Sequence, residues 1–181
     1  DLIADENVVI TISHAGYIKR TNLSEYKTQN RGGVGQKSAG TRDQDFLEHM
    51  YVATNHQYMM FFTQKGKCFW MRVYEIPEGS KTAKGRAIQN LINIESDDKV
   101  KAFICTQDLK DQDYIKSHNL VMVTKKGQVK KTSLEKYSKP RVNGVAAITI
   151  REGDELLEAK LTNGESQIIL AVKSGKLVRF E

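Results

Sequence analysis

Lysine and arginine recur in clusters along this chain, and clusters of such cations bind anions such as phosphate. Three segments are basic: residues 16–42 have a net charge of +5, residues 64–86 of +4 and residues 124–151 of +7. The segments that follow them are acidic, with net charges of −3, −2 and −4 for residues 43–63, 87–118 and 152–172. The overall charge of +6 says little by itself. Charge that alternates in this order predicts a band of cations that neutralises successive phosphates.

The residues that most often carry catalysis or bind metals are scattered. The two cysteines form no CxxC pair, so neither a zinc knuckle nor a disulfide framework is indicated. We expect Cys68 and Cys105 to pack as small buried groups in a reducing, cytosolic setting. No two histidines have metal-ligand spacing on a common element, and each is expected to be an isolated surface residue: His14, His49, His56 and His118.

Nucleotide-binding and nucleophile motifs are absent from the sequence. The segment Arg31–Gly35 matches neither GxxxxGK[ST] nor GxGxxG, and no helix signal follows it. Its backbone N–H groups could contact a DNA phosphate, as a nest does. There is no GxSxG motif, and the carboxylates are spread over turns. We therefore predict no metal, no cofactor and no catalytic activity for this chain by itself.

Four segments align on a glycine, at Gly16, Gly66, Gly127 and Gly175. Each has an apolar strand rich in β-forming residues, a tight turn that ends in glycine, and a second strand that becomes basic. The glycines are 50, 61 and 48 residues apart. The charged stretch Asp108–Asp113 accounts for the longer middle spacing and is predicted to be a surface loop.

Each hairpin is followed by a polar basic loop and then by an acidic turn and another strand. The loops are Arg31–Gly35, Lys81–Arg86 and Lys139–Gly144, and the closing segments are Asp43–Thr54, Glu95–Thr106 and Glu152–Leu161. A repeat of about 50 residues with four strands has the size of a propeller blade. Alternation in Ile10–Ser13 indicates one buried face per strand.

The predicted fold is therefore all-β and propeller-like. A single domain of residues 1–181 contains repeats over residues 8–55, 58–107 and 120–163, with a partial repeat over 167–181. This amounts to three complete four-stranded blades and an extra hairpin, Ile168–Phe180, which we expect to pair with the preceding unit. Only Leu23–Tyr26 and Leu134–Tyr137 have the pattern of a helical turn.

No apolar run approaches the length needed to cross a bilayer. The N-terminal residues Asp1–Asp5 are acidic, unlike a signal peptide, and contain no Met. We expect the chain to be a fragment of a longer protein.

The opening Asp1–Ala4 with Val8–Arg20 resembles the start of the C-terminal domain of the DNA gyrase A protein. Gln29-Asn30-Arg31-Gly32-Gly33-Val34-Gly35 resembles the signature heptapeptide of that family, the GyrA box, which usually reads Gln-Arg-Arg-Gly-Gly-Lys/Arg-Gly. Asn30 and Val34 replace two of its cations, whereas all three glycines are kept. The resemblance covers essentially the whole chain.

The resemblance implies a β-pinwheel, a propeller-like array whose neighbouring blades exchange strands. It implies that a basic rim bends and wraps duplex DNA with a positive hand, largely independent of sequence, and so favours negative supercoiling. The implied partners are double-stranded DNA, the remainder of the gyrase A protein and the gyrase B protein. The catalytic tyrosine and ATPase site of this ATP-dependent topoisomerase would lie outside this chain, which would be cytoplasmic and nucleoid-associated.

The charge pattern and the repeat select a set of candidate DNA-contacting cations. They are Lys19, Arg20, Arg31, Lys37 and Arg42 in the first repeat, Lys84 and Arg86 in the second, and Lys130, Lys131, Lys139 and Arg141 in the third.

Two alternatives remain open. The equivalent C-terminal domain of topoisomerase IV shares the blade repeat but lacks a recognisable box, so Gln29–Gly35 argues against it. A propeller-like protein-interaction scaffold would explain the repeat but not the sorting of charge.

Overall fold

The computed structural model describes residues 2–27, 45–163, 168–171 and 177–180, the last two ranges by backbone only. Its strands are β1 (Asn7–Ser13), β2 (Tyr17–Asn22), β3 (Leu47–Thr54), β4 (Tyr58–Thr63), β5 (Lys67–Arg72), β6 (Arg86–Ala87), β7 (Val100–Thr106), β8 (Asn119–Thr124), β9 (Val129–Ser133), β10 (Val145–Ala146), β11 (Leu156–Thr162), β12 (Ile168–Ala171) and β13 (Leu177–Phe180). Its helical elements are α1 (Ser24–Lys27), α2 (Gln112–Ser117) and three short 3-10 turns, Val73–Glu75, Ile88–Asn90 and Leu134–Tyr137. The predicted all-β class is confirmed.

The chain forms two compact units. The first contains Asp1–Tyr58 with Met71–Asn93, and the second contains Met59–Trp70 with Ile94–Glu181. In the first unit, a four-stranded sheet has the order β3-β1-β2-β6. Strands β1 and β2 form the hairpin around Gly16, because a glycine at φ +88° closes the tight turn.

The second unit contains most of a four-stranded sheet of order β10-β5-β4-β7, together with a three-stranded sheet of order β11-β8-β9. Strands β12 and β13 form the predicted fourth hairpin. Among the described residues they pair only with each other, and not with the preceding repeat as expected.

The fourth strand of each complete sheet comes from the following sequence repeat. Strand β6 follows the β4–β5 hairpin along the chain but pairs with β2, where Tyr17 lies opposite Ala87. Strand β10 follows the β8–β9 hairpin but pairs with β5, where Cys68 lies opposite Val145. The repeats of the sequence and the sheets of the structure are therefore offset by one short strand.

The core is built on the first strand of each of the first three hairpins. Val8–Ile12 of β1 are all buried, including Thr11, and Met59–Phe62 of β4 are fully buried. The alternation of Ile10–Ser13 predicted only one buried face, and this prediction is wrong. A strand covered on both faces has no polar side, and the near-continuous apolar runs of β1, β4 and β8 reflect this.

Helical turns occur at both places where the sequence predicted them, as α1 and as the 3-10 turn Leu134–Tyr137. The insertion at Asp108–Asp113 was predicted to be a loop, but α2 begins within it. Asp111 caps the helix by accepting a hydrogen bond from the Tyr114 N–H at 3.2 Å, and Ile115 is buried. One buried side chain in six residues gives no detectable helical period, so the sequence did not reveal this helix.

Candidate nucleic-acid interface

The two exchanged strands determine where the basic loops of the second and third repeats lie. Gly85 precedes β6 with a φ of +85°, and Gly144 precedes β10 with a φ of +70°. A Cβ atom on Gly85 would collide with the carbonyl oxygen of Ile18, and one on Gly144 would lie 2.8 Å from the Phe69 ring. Glycine is required here because the loop backbone packs directly on the hairpin of the preceding repeat.

In the first unit the loop before β6 carries cations stacked on tyrosine rings. The Lys84 Nζ atom lies 4.1 Å from the centroid of the Tyr17 ring, and the Lys81 Nζ atom lies 4.9 Å from that of Tyr26. Lys84 is exposed, and so is Arg86, whose backbone pairs with Ile18. Cation–π contacts of this kind orient a lysine while its charge stays accessible to an anion.

Lys19, a predicted DNA contact, faces inward. It is only 8% exposed, and its Nζ atom donates hydrogen bonds to the carbonyl oxygens of Ser80, Lys81 and Ala83 at 3.0, 2.7 and 2.7 Å. Burial lowers the pKa of Lys19, and the nearby charge of Glu25 raises it in part. All three donors of the ammonium group are used inside the protein.

Arg20, the next predicted contact, also bonds to backbone. Its Nε atom donates to the Ile76 carbonyl at 3.1 Å, just after the 3-10 turn of the second repeat. Trp70 occupies the same position four residues after the turn glycine of the second repeat, and its Nε1 atom donates to the Tyr137 carbonyl at 3.0 Å. This position therefore ties the first and second hairpins to the 3-10 turn of the following repeat. The recurrence is concealed in the sequence because one residue is Arg and the other is Trp.

The predicted cations of the third repeat lie in the second unit. Lys130, Lys131, Lys139 and Arg141 are all exposed. The Lys130 Nζ atom donates to the Ala147 carbonyl at 2.8 Å, so part of its hydrogen-bonding capacity is used internally. Lys139 and Arg141 precede β10 in the loop that ends at Gly144, which corresponds to the loop of the first unit that ends at Gly85.

The GyrA-box-like segment Gln29–Gly35 lies outside the described residues, as do Lys37 and Arg42. Their predicted roles stay predictions.

Not every lysine near a hairpin turn is an accessible cation. The Lys65 Nζ atom pairs with Glu95 at 3.1 Å and with Asp97 at 2.6 Å, and the Lys67 Nζ atom pairs with Glu95 at 3.2 Å. Hydrogen bonds to these carboxylates raise the pKa of Lys65, and the lysines lower the pKa of Glu95. These cations already have anionic partners, which the charge count along the chain did not reveal.

Three aspartates, which sequence reasoning did not single out, hold the hairpin turns. In each repeat an aspartate Oδ1 atom accepts a hydrogen bond from the backbone N–H of the residue before the turn glycine. The pairs are Ala15–Asp45 at 2.7 Å, Lys65–Asp98 at 3.1 Å and Lys126–Asp154 at 2.9 Å. An aspartate 27 to 32 residues after each turn glycine is the sequence signal that could have identified them.

The described residues include neither a grouped set of metal ligands nor a thiol with a lowered pKa. No three His, Cys, Asp or Glu side chains are grouped among them in a way that could hold a metal ion. Burial raises the pKa of Cys68 well above its ordinary value and that of Cys105 to about 11, so neither thiol forms a reactive thiolate at neutral pH. In the same part of the chain, no helix has the length and apolar character to cross a membrane.

Comparison with protein families gives a match over most of the chain. The sequence model of a family described as "DNA gyrase C-terminal domain, beta-propeller" matches residues 7–54, 57–107 and 118–163. The curated relatives include the DNA gyrase A protein of Buchnera aphidicola subsp. Baizongia pistaciae, 44% identical over 180 residues, and that of Salmonella typhimurium, 39% identical over 181 residues. These alignments cover 99% and 100% of this chain but 21% and 20% of the relatives. The chain thus spans about a fifth of their length.

Solved structures confirm the fold. The C-terminal domain of DNA topoisomerase IV superposes with a TM-score of 0.79 at 27% identity, over 99% of this chain and 53% of that chain. A DNA gyrase A C-terminal domain superposes with a TM-score of 0.66 at 23% identity, over 96% of this chain and 54% of that one. With the family match, these similarities confirm the predicted propeller-like β-pinwheel.

Proposed function

This chain belongs to the DNA gyrase C-terminal domain family, and we propose that it binds duplex DNA through the phosphate backbone and wraps it. The observation that carries the proposal is the repeated presentation of exposed cations by the loops before the exchanged strands. Lys84 and Arg86 lie at the first such loop, and Lys139 and Arg141 at the second. Exposed cations in the corresponding loops of successive repeats suit a ligand whose charges also repeat.

Contacts of this kind imply a defined mode of binding. Lys and Arg on loops bind phosphate oxygens, whereas sequence readout needs side chains that reach base edges in a groove. The described residues contain no helix longer than six residues, so they offer no recognition helix. We expect affinity to depend on DNA shape and bendability rather than on base sequence, and to need no cofactor.

The role of the parent protein follows as part of the same proposal. The chain would act within the gyrase A protein, with the gyrase B protein as a further partner, in a bacterial cytoplasm and close to the nucleoid. Wrapping with a positive hand would present a DNA segment to the rest of this ATP-dependent topoisomerase and favour negative supercoiling. The catalytic tyrosine and the ATPase site would lie outside this chain.

Ligation of nicked plasmid in the presence of the purified 181-residue chain tests the proposal. After deproteinisation, the linking number of the closed circles records the sense in which DNA was wrapped. We expect a positive shift that grows with the ratio of protein to DNA. Ligation with the protein in high salt is the control, because salt screens phosphate contacts. Detectable binding without a shift would contradict wrapping, and absence of binding would contradict the whole proposal.

The equivalent domain of topoisomerase IV is the second candidate, favoured by the TM-score of 0.79 to that domain. The GyrA-box-like Gln29–Gly35 and the gyrase family match favour gyrase. The assay on the complete parent enzyme separates the two: gyrase introduces negative supercoils into relaxed plasmid, whereas topoisomerase IV chiefly decatenates linked circles.

A further inference from the structure

We propose that Lys19 is a positioning residue for DNA binding: its buried ammonium group folds the loop of residues 80–84 so that Lys81 and Lys84 present their charges outward. This inference rests on the proposed function. It assigns to Lys19 a role different from the direct phosphate contact that its position in a basic strand predicts.

The inner side of the loop is organised around one cation. Three carbonyl oxygens within four residues, those of Ser80, Lys81 and Ala83, converge on the Lys19 Nζ atom. Only a protonated amine offers three N–H donors from one atom, so no apolar side chain and no single amide could satisfy all three acceptors. Without Lys19 the three carbonyls would lose their shared donor, and the loop would have to rearrange to bring them to water or to other donors.

The outer side of the same loop carries the charges. Lys84 stacks on Tyr17 and Lys81 on Tyr26, with Nζ–centroid distances of 4.1 and 4.9 Å. The backbone N–H of Lys81 donates to Glu25 Oε2 at 3.1 Å, which attaches the loop to α1. The loop backbone is thus held from two sides, by Lys19 and by Glu25, while its lysine side chains extend over the two rings.

The same hairpin position makes other contacts in the second unit. Lys130 also lies three residues after its turn glycine, but its Nζ atom donates to the Ala147 carbonyl, which directly follows β10 of its own repeat. In the second repeat the same position holds Phe69, which packs against Gly144 instead. Both lysines at this position of a described hairpin donate to backbone carbonyls, but of the two only Lys19 donates to the loop before an exchanged strand.

A double-mutant cycle on the 181-residue chain tests the proposal. The variants are Lys19→Met, the pair Lys81→Gln with Lys84→Gln, and the combination of all three, with Lys160→Met as a control that removes an exposed lysine from an acidic segment. Binding to a duplex of about 40 base pairs is measured by fluorescence anisotropy over a range of salt concentrations. Unfolding by urea is measured in parallel.

We expect Lys19→Met to weaken binding about three- to tenfold and to reduce the slope of log K against log salt by about one to two, because one or two phosphates are no longer neutralised. Added to the pair, Lys19→Met should have little further effect, since the cations through which it acts are already absent. Lys160→Met should bind like the wild type. If the losses of binding free energy caused by Lys19→Met and by the pair add up in the triple variant, Lys19 contacts DNA itself. If Lys19→Met binds DNA like the wild type, Lys19 does not position the loop. Either result overturns the proposal.

Two further measurements keep the test decisive. Lys19→Gln retains two N–H donors, so it should fold even if Lys19→Met does not. We expect it to lose part of the affinity for DNA, and an affinity equal to that of the wild type would overturn the proposal. Hydrogen exchange over residues 80–84 should accelerate in Lys19→Met or Lys19→Gln without any DNA present. If the exchange of the variant is faster but the wild type does not bind DNA, Lys19 does hold the loop and the proposed DNA-binding function is wrong. If the exchange is unchanged, Lys19 does not position the loop.

Discussion

At the scale of single residues, the aspartates of the acidic turns explain why acidic segments alternate with basic ones. Asp154 accepts hydrogen bonds from the backbone N–H groups of Lys126 and Glu155, both at 2.9 Å. Asp98 makes the equivalent pair with Lys65 and Lys99, at 3.1 and 2.9 Å. Each carboxylate joins a hairpin turn to the start of a later strand, so negative charge is needed at that point of the repeat whatever the chain binds.

Asp154→Ala should lower the free energy of unfolding by about 1 kcal/mol at neutral pH, because two backbone N–H groups lose an ionised acceptor in a partly exposed site. Glu152→Ala, which removes an exposed carboxylate two residues earlier, is the matched control and should change little. Urea unfolding of the wild type and both variants at about pH 7 measures the difference. Equal stabilities would show that the carboxylate does not hold the turn.

The same aspartate predicts a pH dependence. Partial burial opposes its ionisation, but hydrogen bonds from Thr124 and from the N–H groups of Lys126 and Glu155 outweigh it and hold the pKa of Asp154 below the ordinary 3.8. A pKa lowered by folding stabilises the protein above the unfolded value, and this stability is lost as the pH falls through the folded one. The difference between wild type and Asp154→Ala should therefore be constant from about pH 7 to about pH 5 and shrink below about pH 4.

At the scale of elements, the exchanged strands link the repeats. Strand β6 has only two residues, yet it completes the first sheet and places Arg86 opposite Ile18, with Lys84 over the Tyr17 ring. The Gly16 carbonyl accepts a hydrogen bond from Ile88 at 2.9 Å, directly after β6, and the Gly66 carbonyl accepts one from Ala147 at 2.8 Å, directly after β10. So short a strand is stabilised more by the close packing and hydrogen bonds of its flanking residues than by its own backbone pairing with β2.

Gly85→Ala and Gly16→Ala form a matched pair that tests this fit. The two glycines have φ angles of +85° and +88°, so both substitutions incur about 1 kcal/mol of backbone strain. A Cβ on Gly16 meets no atom within 4 Å, whereas one on Gly85 overlaps the Ile18 carbonyl. We expect Gly85→Ala to lower the free energy of unfolding by about 1–3 kcal/mol more than Gly16→Ala does, as measured by urea denaturation.

Gly85→Ala should also weaken DNA binding at protein concentrations and temperatures at which it is still folded, because Gly85 lies between the candidate contacts Lys84 and Arg86. Equal stability and equal affinity of the two variants would mean that β6 does not need to pack closely on β2.

At the scale of the whole molecule, the distribution of cations matters more than the net charge. Some lysines are used internally, such as Lys19, or are paired with carboxylates, such as Lys65 and Lys67. The exposed cations before β6 and β10 recur with the exchanged strands, once in each unit. That the clusters form one continuous band stays a prediction.

Neutralising these clusters tests whether the chain binds DNA through the phosphate backbone. The pairs Lys84→Gln with Arg86→Gln, and Lys139→Gln with Arg141→Gln, should each weaken binding about equally on duplexes of unrelated sequence. Each pair should reduce the salt slope by about 0.9 for every phosphate that is no longer neutralised. Lys65→Gln with Lys67→Gln is the control, because those cations already pair with Glu95 and Asp97. A loss confined to one sequence would contradict binding through the phosphate backbone, and binding that is indifferent to salt would favour a protein-interaction scaffold.

The sequence by itself determined the repeat, the hairpins and the all-β class. Turn glycines, β-branched strands and the order of charge are local patterns, so they remain readable without any knowledge of which elements touch. Gly16, Gly66 and Gly127 each close a predicted hairpin. The glycines Gly85 and Gly144 were also aligned correctly as equivalent positions, although their contact with a preceding hairpin could not be seen.

Only the tertiary structure decided which cations face outward. Lys19 and Lys84 have the same side chain in the same kind of basic segment, yet one is enclosed by three carbonyls and the other is exposed beside a tyrosine. The difference arises because a strand of one repeat pairs with the hairpin of another, which brings residues more than sixty positions apart into contact. A charge count along the chain records how many cations a segment has, but their direction depends on what that segment packs against.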